Sequence, residues 1–428
     1  MSALAKQSAR ASLWRSWRDP ATWSTTSDVF AILVAASLPW STTLVAIFAS
    51  AFLVSLAPFL DFKAFLQSLK RPMCSLPIAL FTLALAGTLW SDASWNERLY
   101  AVGPTAKLLM LPVLVYHFER SARGMCVLIG FLVSCVALML MSWIVAFDPR
   151  LALKPGAAFG VPVKNYIDQS QEFALCAVVL AYPVVTLWRA HQKKLAALLL
   201  ALSLSFVINM LFVNVSRTAL VTMPVMLAVF AILHLKLRSI VLIACAAAVL
   251  GGLAWMTSPK LRATAQKFSG DYEFFGEQNG SASVGLRLVF WQKSLRFIPQ
   301  APVFGHGTGS IRGLFEEAAV GKVGPAAEVI ANPHNQTLNV AIQWGAIGVV
   351  VLYAMWVIHL LVFRGDDLAS WIGLMVVLQN IFTSLFNSHI FDFNEGWMYV
   401  LGVGIAAGMV LANSSRKAEI GIRNSVTA

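Results

Sequence analysis

The sequence predicts an all-α protein that crosses a membrane about twelve times and carries one large segment outside it. Three observations lead there. Hydrophobic residues make up 58% of the 428 and charged ones only 12%, where a soluble domain carries about 25% charged residues; mean hydropathy is +0.72. The apolar residues gather into twelve runs, and a spanning helix needs about 20 of them at 1.5 Å rise each. The positive charge of the connections alternates along the chain, as it does when loops alternate between the sides of a membrane. So few charges cannot cover a water-facing surface of this size, which excludes a soluble domain. Sparse charge with high hydrophobicity excludes a disordered chain, and five cysteines are too few for a disulfide scaffold.

Residues 1–27 form a polar, basic tail with Lys6, Arg10, Arg15 and Arg18. No short apolar core ending in a small-residue cleavage site follows, so no removable signal peptide is expected. Nine spans occupy 28–257, with apolar runs near 28–39, 42–60, 73–90, 103–118, 124–147, 169–188, 195–213, 218–235 and 239–257. The first is short and breaks at Pro39-Trp40, which suggests a helical hairpin with the second. A long outer segment, 258–335, comes next, then three spans in 336–412 (336–362, 368–387 and 396–412) and a tail, 413–428. With both ends placed in the cytoplasm, the cytoplasmic pieces hold 18 of the 32 basic residues and seven of the 20 acidic ones. Nearly all of the net charge of +12 is then a topology signal, and nucleic-acid binding loses its support. Cys74, Cys126, Cys135, Cys176 and Cys245 fall in or beside apolar runs, without metal-ligand spacing, and read as small apolar residues.

Within the outer segment, a polar stretch from Asp271 to Ser283 precedes Val284–Ile298. There Val284, Leu288, Trp291, Leu295 and Ile298 recur at helical spacing and Arg287, Lys293 and Arg296 interrupt them. The pattern predicts an amphipathic helix lying on or near the outer leaflet. Gly305-His-Gly-Thr-Gly309 lacks the strand and helix of a dinucleotide site and reads as a tight turn, with His306 a weaker candidate than His334.

Candidate chemistry gathers on the outer side. Arg217 sits in a short outer turn, Asn214-Val-Ser-Arg-Thr-Ala219, where positive charge is not expected; the ordinary alternative is a snorkelling helix-end arginine. His334 lies in Asn332-Pro-His-Asn-Gln-Thr337, at the mouth of the tenth span beside Asn335 and Gln336. A helix starting there presents free N–H groups that favour anions and hold the histidine neutral, usable as a base. Arg287 lies on the amphipathic helix. Arg98, Lys107, Arg312, His389 and Asp392 are further outer-side candidates for substrate binding; for Lys107 and Asp392 a structural ion pair is an equal alternative. The first outer loop, Pro39-Trp40-Ser41, has no acid, and Asp271-Tyr-Glu273 is a poor metal site in a Gly/Asn-rich stretch, so no metal and no other cofactor are expected. A neutral histidine with several arginines facing the lipid suits a lipid-linked diphosphate, since guanidinium forks match phosphate oxygens and a base can deprotonate an acceptor hydroxyl.

Ser216-Arg-Thr-Ala219, Gly285-Leu-Arg287 with Trp291, Pro302-Val-Phe-Gly305 running on to Gly307 and Gly309, and His334-Asn335 before Gly345-Ala-Ile-Gly348 resemble the O-antigen ligase/polymerase superfamily. The likeness is greatest to the WaaL-type O-antigen ligases of Gram-negative inner membranes. It covers most of the chain in layout but only its second half in motifs. It implies a GT-C-like membrane fold with a large periplasmic loop. It also implies metal-independent, inverting transfer of O-polysaccharide from undecaprenyl diphosphate to lipid A–core, with membrane lipids around the protein. The family's essential histidine falls on His334 and its essential periplasmic arginines on Arg217 and Arg287. An O-antigen polymerase and a protein O-oligosaccharyltransferase are the nearest alternatives. A lipid or polysaccharide transporter is the alternative from another class, disfavoured because only Lys107 among the candidates lies within a span.

Overall fold

The computed structural model of the protein describes residues 19–156, 158–213, 216–263, 266 and 283–426. The N-terminal tail with Lys6, Arg10, Arg15 and Arg18, Asn214 of the outer turn and the Asp271-Tyr-Glu273 stretch lie outside these residues. In chain order the helices are α1 (Pro20–Ser37), α2 (Thr42–Leu56), α3 (Phe62–Leu69), α4 (Pro72–Ala86), α5 (Trp95–Val102), α6 (Met110–Phe118), α7 (Gly124–Phe147), α8 (Tyr166–Val179), α9 (Ala181–Arg189), α10 (Lys193–Phe212), α11 (Arg217–His234), α12 (Leu237–Thr257), α13 (Ser283–Phe297), α14 (Ile311–Ala319), α15 (Gln336–Val362), α16 (Leu368–Thr383) and α17 (Phe393–Val426). Among the described residues there is no strand. Each of the twelve apolar runs is helical. Among the described residues, ten helical stretches are long and apolar enough to cross a membrane; α16 is shorter and α1 is not among them. The protein is a polytopic membrane protein.

Helix α1 begins at Pro20, eight residues before the apolar run, with Asp19 as its N-cap accepting from the Ala21 N–H. Hydropathy misses residues 20–27 because Thr22, Ser24, Thr25, Thr26 and Ser27 are polar, and Asp28 follows them. That carboxylate is 2% exposed and accepts from His117 Nε2 at 2.8 Å, Ser121 Oγ at 2.7 Å and Arg123 at 3.2 Å. Arg71 and Glu119 form a two-pronged pair beside it, at 2.8 and 2.9 Å. These bonds tie together one end of α1, α4, α6 and α7. At the other end, α17 likewise outruns its apolar stretch and continues through the expected tail to Val426.

Helix α17 is the centre of the bundle. In its span 78% of the residues are buried, against 6% in α12, which therefore faces the lipid. Gly402, Gly404 and Gly408 let it approach Val376 of α16 and Leu114 and Phe118 of α6, as small residues do between membrane helices, where hydrophobicity alone gives no drive.

The described part of the outer segment is a small cap. Phe290 and Phe297 of α13 join Ile311 and Phe315 of α14 and Ile342 of α15 in a second apolar core. On α13 the buried residues are Phe290, Ser294 and Phe297. Trp291 and Ile298 of the expected stripe lie partly buried against the same core, and Leu295 is 59% exposed. The Ser294 hydroxyl bonds back to the Phe290 carbonyl at 2.7 Å.

The cap is fastened to the bundle at a break in α15. Gly345 sits at φ 59°, ψ −153°, which frees backbone groups within a span. The 302–309 loop takes them up. Its His306 and Gly307 N–H groups donate to the Ile342 and Gln343 carbonyls at 2.8 and 2.9 Å, and Ala346 N–H donates to Pro302 O at 2.8 Å. Thr308 Oγ1 receives Trp344 Nε1 at 2.8 Å and donates to Ala84 O of α4 at 2.6 Å. The glycine run is thus the tight turn expected of it, and His306 Nε2 is spent on the Phe297 carbonyl at 3.0 Å.

A Cβ at Gly345 would meet the Val303 carbonyl carbon at 2.5 Å and Gly305 N at 2.7 Å. Gly345→Ala should therefore cost about 1–3 kcal/mol, the scale of a side chain held in a glycine-only conformation. Gly251→Ala is the control, because nothing lies within 4 Å of a Cβ there. Thermal unfolding in detergent should separate the two, and equal midpoints would show that the splice does not constrain the fold.

Candidate functional site

The site forms where the N-termini of α11, α15 and α17 meet the cap. Asn335 caps α15, accepting the Leu338 N–H at 3.0 Å and donating to Leu385 O at 3.2 Å. His334, one residue before the cap, takes φ 53°, a left-handed conformation that is uncommon outside glycine and marks positions over-determined by their surroundings. Two contacts hold it. Its N–H donates to Asn332 Oδ1 at 2.9 Å, and Trp291 Nε1 of α13 donates to the Pro333 carbonyl at 3.1 Å. Phe290 stacks on its ring at 6.2 Å between centroids.

His334 Nδ1 lies 2.8 Å from Asn387 Oδ1, and Asn387 Nδ2 donates to Asp392 Oδ2 at 2.6 Å. Among the described residues no hydrogen bond reaches Nε2. Burial, helped by the Arg287 charge, holds the imidazole below the ordinary histidine range, against the Asn387 bond. The ring is neutral at pH 7 for these reasons more than for the helix N-terminus alone.

Arg287 is half-buried on α13. Burial lowers its pKa, and the charged neighbour that acts on it most is a second cation, Arg217, at the first position of α11. Among the described residues no carboxylate lies within ion-pair distance of Arg287. Arg217, Thr218, Val221, Arg287, Leu288, Trp291 and Phe386 line an open cleft of about 100 Å³. Two guanidinium groups thus share a cleft with indole, phenyl and aliphatic walls, beside a neutral histidine. Such a cleft favours an anion joined to an apolar group.

The other sequence candidates separate. Gln336 is fully buried, its Oε1 accepting the Ile390 N–H at 3.0 Å, so it locks the 384–392 turn to α15. Arg98 caps carbonyls of its own turn, Ala93 O at 2.7 Å and Thr88 O at 2.8 Å, and lies over Trp95. Arg312 is exposed and paired with Glu316 at 2.9 Å. Lys107, in the 3-10 stretch Gly103–Leu109 between α5 and α6, donates to the carbonyls of Phe391 and Asp392. It therefore braces the turn that holds Asp392. His389 is 2% exposed in its side chain and ion-paired with Asp392 at 3.2 Å and Glu395 at 3.7 Å.

Asn332, Asn387, Ser388 and Glu395 escaped the sequence reading. Neutral amides carry no signal of their own in a sequence. The His389-x-x-Asp392-x-x-Glu395 spacing was visible, and its ligand atoms lie within 4.8 Å of one another. This is a donor set that the expectation of no metal overlooked. The Lys107 ammonium, which acts on both carboxylates, and the His389 charge oppose a further cation there. Beyond it, Lys164 donates to Asn394 Oδ1 at 2.8 Å and Asn394 to Glu172 Oε1 at 2.7 Å, so the polar interior continues into α8.

Burial alone would lower the His389 pKa, but Glu395 and then Asp392 outweigh it and raise it to about 9. Because the folded value lies above the ordinary one, this stabilisation is complete below about pH 6.5 and is lost as pH rises through about 9. His389→Gln should destabilise the protein at neutral pH by about 3 kcal/mol, and the gap to wild type should close in alkali. Melting curves from pH 6 to 10 check this; a gap that does not narrow would mean an uncharged His389.

No curated protein matches the chain. A family model described as O-antigen ligase matches residues 200–353, from α10 into α15. The stretch contains Arg217, Arg287 and His334, together with the 302–309 splice and the break at Gly345. Asn387 and Asp392 fall beyond it. Over this part the chain is similar to the O-antigen ligases, which supports the O-antigen ligase/polymerase superfamily.

Proposed function

We propose that the protein is an O-antigen ligase, a metal-independent, inverting glycosyltransferase with a GT-C-like membrane fold. It would move O-polysaccharide from undecaprenyl diphosphate to a hydroxyl of lipid A–core. The observation that carries the reading is Arg287, a half-buried cation without a carboxylate partner among the described residues, set against Arg217 and the neutral His334. The Arg217 charge opposes that of Arg287, so an anion that meets Arg287 in the cleft is favoured. A diphosphate on a polyprenyl chain supplies that anion from the lipid side.

In this reading His334 Nε2 removes the proton of the acceptor hydroxyl. The oxygen attacks the anomeric carbon from the side opposite the diphosphate, and the bond to the phosphate oxygen breaks. Undecaprenyl diphosphate leaves with the electron pair, its charge met by Arg217 and Arg287, and the anomeric configuration inverts. The end of the bundle holding Arg71, Arg120 and Arg123 would face the cytoplasm and the His334 end the periplasm, in a Gram-negative inner membrane.

Purified protein reconstituted with undecaprenyl-diphosphate-linked O-polysaccharide and lipid A–core, with chelator present, should form ligated product seen on a gel. His334→Ala should lower the rate by at least about 100-fold in a protein that still folds; comparable ligation by that variant would remove it as the base. Arg217→Lys and Arg287→Lys should stay impaired by about 10-fold or more, because a point charge does not reproduce a fork. Extension of short lipid-linked repeats without transfer to core would make the protein a polymerase with the same chemistry, and lost ligation restored by divalent cations would end the metal-free mechanism.

The pH dependence has a fixed sign. A base acts deprotonated, so activity falls as pH drops through the His334 pKa, and burial with Arg287 places that fall below 6.5. The acid limb of kcat/KM should have its midpoint under pH 6.5; a midpoint above it would contradict a neutral, depressed His334.

A further inference from the structure

We infer that Asn387 is a positioning residue that holds His334 in the Nδ1–H form, leaving the Nε2 lone pair to face the acceptor. This rests on the reading of His334 as the base. The assignment follows from hydrogen-bond direction alone. A backbone N–H can only donate, so the 2.9 Å bond from the His334 N–H fixes the Asn332 oxygen toward it. Ser388 Oγ donates to the same oxygen at 2.8 Å. The Asn332 NH2 must then point the other way, and it meets Asn387 Oδ1 at 3.1 Å.

The far side of Asn387 gives the same answer independently. Its other amide atom lies 2.6 Å from the Asp392 carboxylate; that atom must be the NH2, since two oxygens there would repel. The Asn387 oxygen therefore faces His334 Nδ1 at 2.8 Å. Only a protonated Nδ1 can bond to it, and a neutral ring then has its lone pair on Nε2.

An amide in this position differs from a carboxylate. It accepts the Nδ1–H bond and orients the ring, but it adds no charge that would raise the basicity of the histidine. Asp392 aligns that amide and also acts on His334 directly through its charge. The proton taken from the acceptor hydroxyl stays on the imidazole at Nε2, because Asn387 has no site to receive the one on Nδ1. Lys107 and His389 hold the Asp392 turn and so set the Asn387 orientation from behind.

The test reads the ring directly. The chain has seven histidines, so protein labelled with 15N-histidine in lipid nanodiscs, compared with His334→Gln, identifies the His334 ring signals. Above its pKa the wild-type ring should show a pyrrole-type Nδ1 and a pyridine-type Nε2. Asn387→Leu should abolish that preference and slow transfer by about 10- to 100-fold, the usual effect of losing a group that orients a catalytic histidine. Asn387→Asp keeps an acceptor, so it should keep the tautomer while moving the acid limb of the pH–rate profile upward. A wild-type ring with the proton on Nε2, or an Asn387→Leu variant with tautomer and rate unchanged, would overturn the inference. An Nδ1–H ring combined with full activity in His334→Ala would instead overturn the base assignment and leave the tautomer assignment standing.

Discussion

Inside hydrocarbon a backbone N–H or C=O without a partner costs several kcal/mol, and the break at Gly345 creates such groups in the middle of a span. The rest of the site depends on how they are satisfied. The 302–309 loop hydrogen-bonds to both sides of the break, and the same loop leads from α13 to α14. Docking the loop therefore docks α13 and fixes Arg287 and Trp291 over the first turns of α15. An unbroken α15 would offer no free backbone groups at 342–347, and the cap would lose its register on the bundle. Because the splice is made of main-chain bonds on rigid elements, it can hold arginines and histidine to the tolerance that a reacting site requires.

The second constraint is charge. The two ends of the bundle solve the burial of ionisable groups differently. At one end Asp28 and Glu119 each have a cation, and the pairs clamp helix ends. At the His334 end the carboxylates and cations are divided. Asp392 and Glu395 gather with His389 and Lys107, whereas Arg287 is left with Arg217 for its charged neighbour. A structural role would favour pairing Arg287 with a carboxylate, as Arg71 and Arg123 are paired at the other end. A half-buried guanidinium next to another cation suits water or an anionic ligand.

The twelve helices were legible in the sequence because a spanning helix is written as uninterrupted apolar residues. The exceptions have a physical cause. The first two turns of α1 are rich in Ser and Thr, and Asp28 just beyond them is matched by His117, Ser121 and Arg123 from 89 or more residues away. On α13 Ser294 is buried among apolar residues, its hydroxyl satisfied by its own helix. Arg217 and His334 stood out in the sequence as ionisable residues at span ends and Arg287 as one on the helix between spans, and the structure brings Arg217 and Arg287 to one cleft. The same rule swept in Arg98 and Arg312, which the structure commits to nearby carbonyls and to Glu316. Asn332 and Asn387 left no trace, since their meaning lies in the direction of hydrogen bonds formed across more than 50 residues.

The two histidines of the site show how one pair of side chains can serve two purposes. His334 and His389 lie on either side of Asn387 and Asp392. Next to His389 stands the carboxylate itself, and with Glu395 it raises that histidine to about 9. Next to His334 stands the amide, which orients without adding charge, while burial and Arg287 lower the ring below its ordinary range. Exchanging which of them touches the carboxylate would reverse the assignments: a charged His334 could no longer accept a proton, and a neutral His389 would leave Asp392 and Glu395 repelling one another. Separating the charge states of two identical side chains in this way is how environment assigns acid and base roles. The order His334, Asn387, Asp392, His389, two hydrogen bonds and then an ion pair, is accordingly the arrangement that leaves a neutral imidazole at the cleft and a cation in the interior.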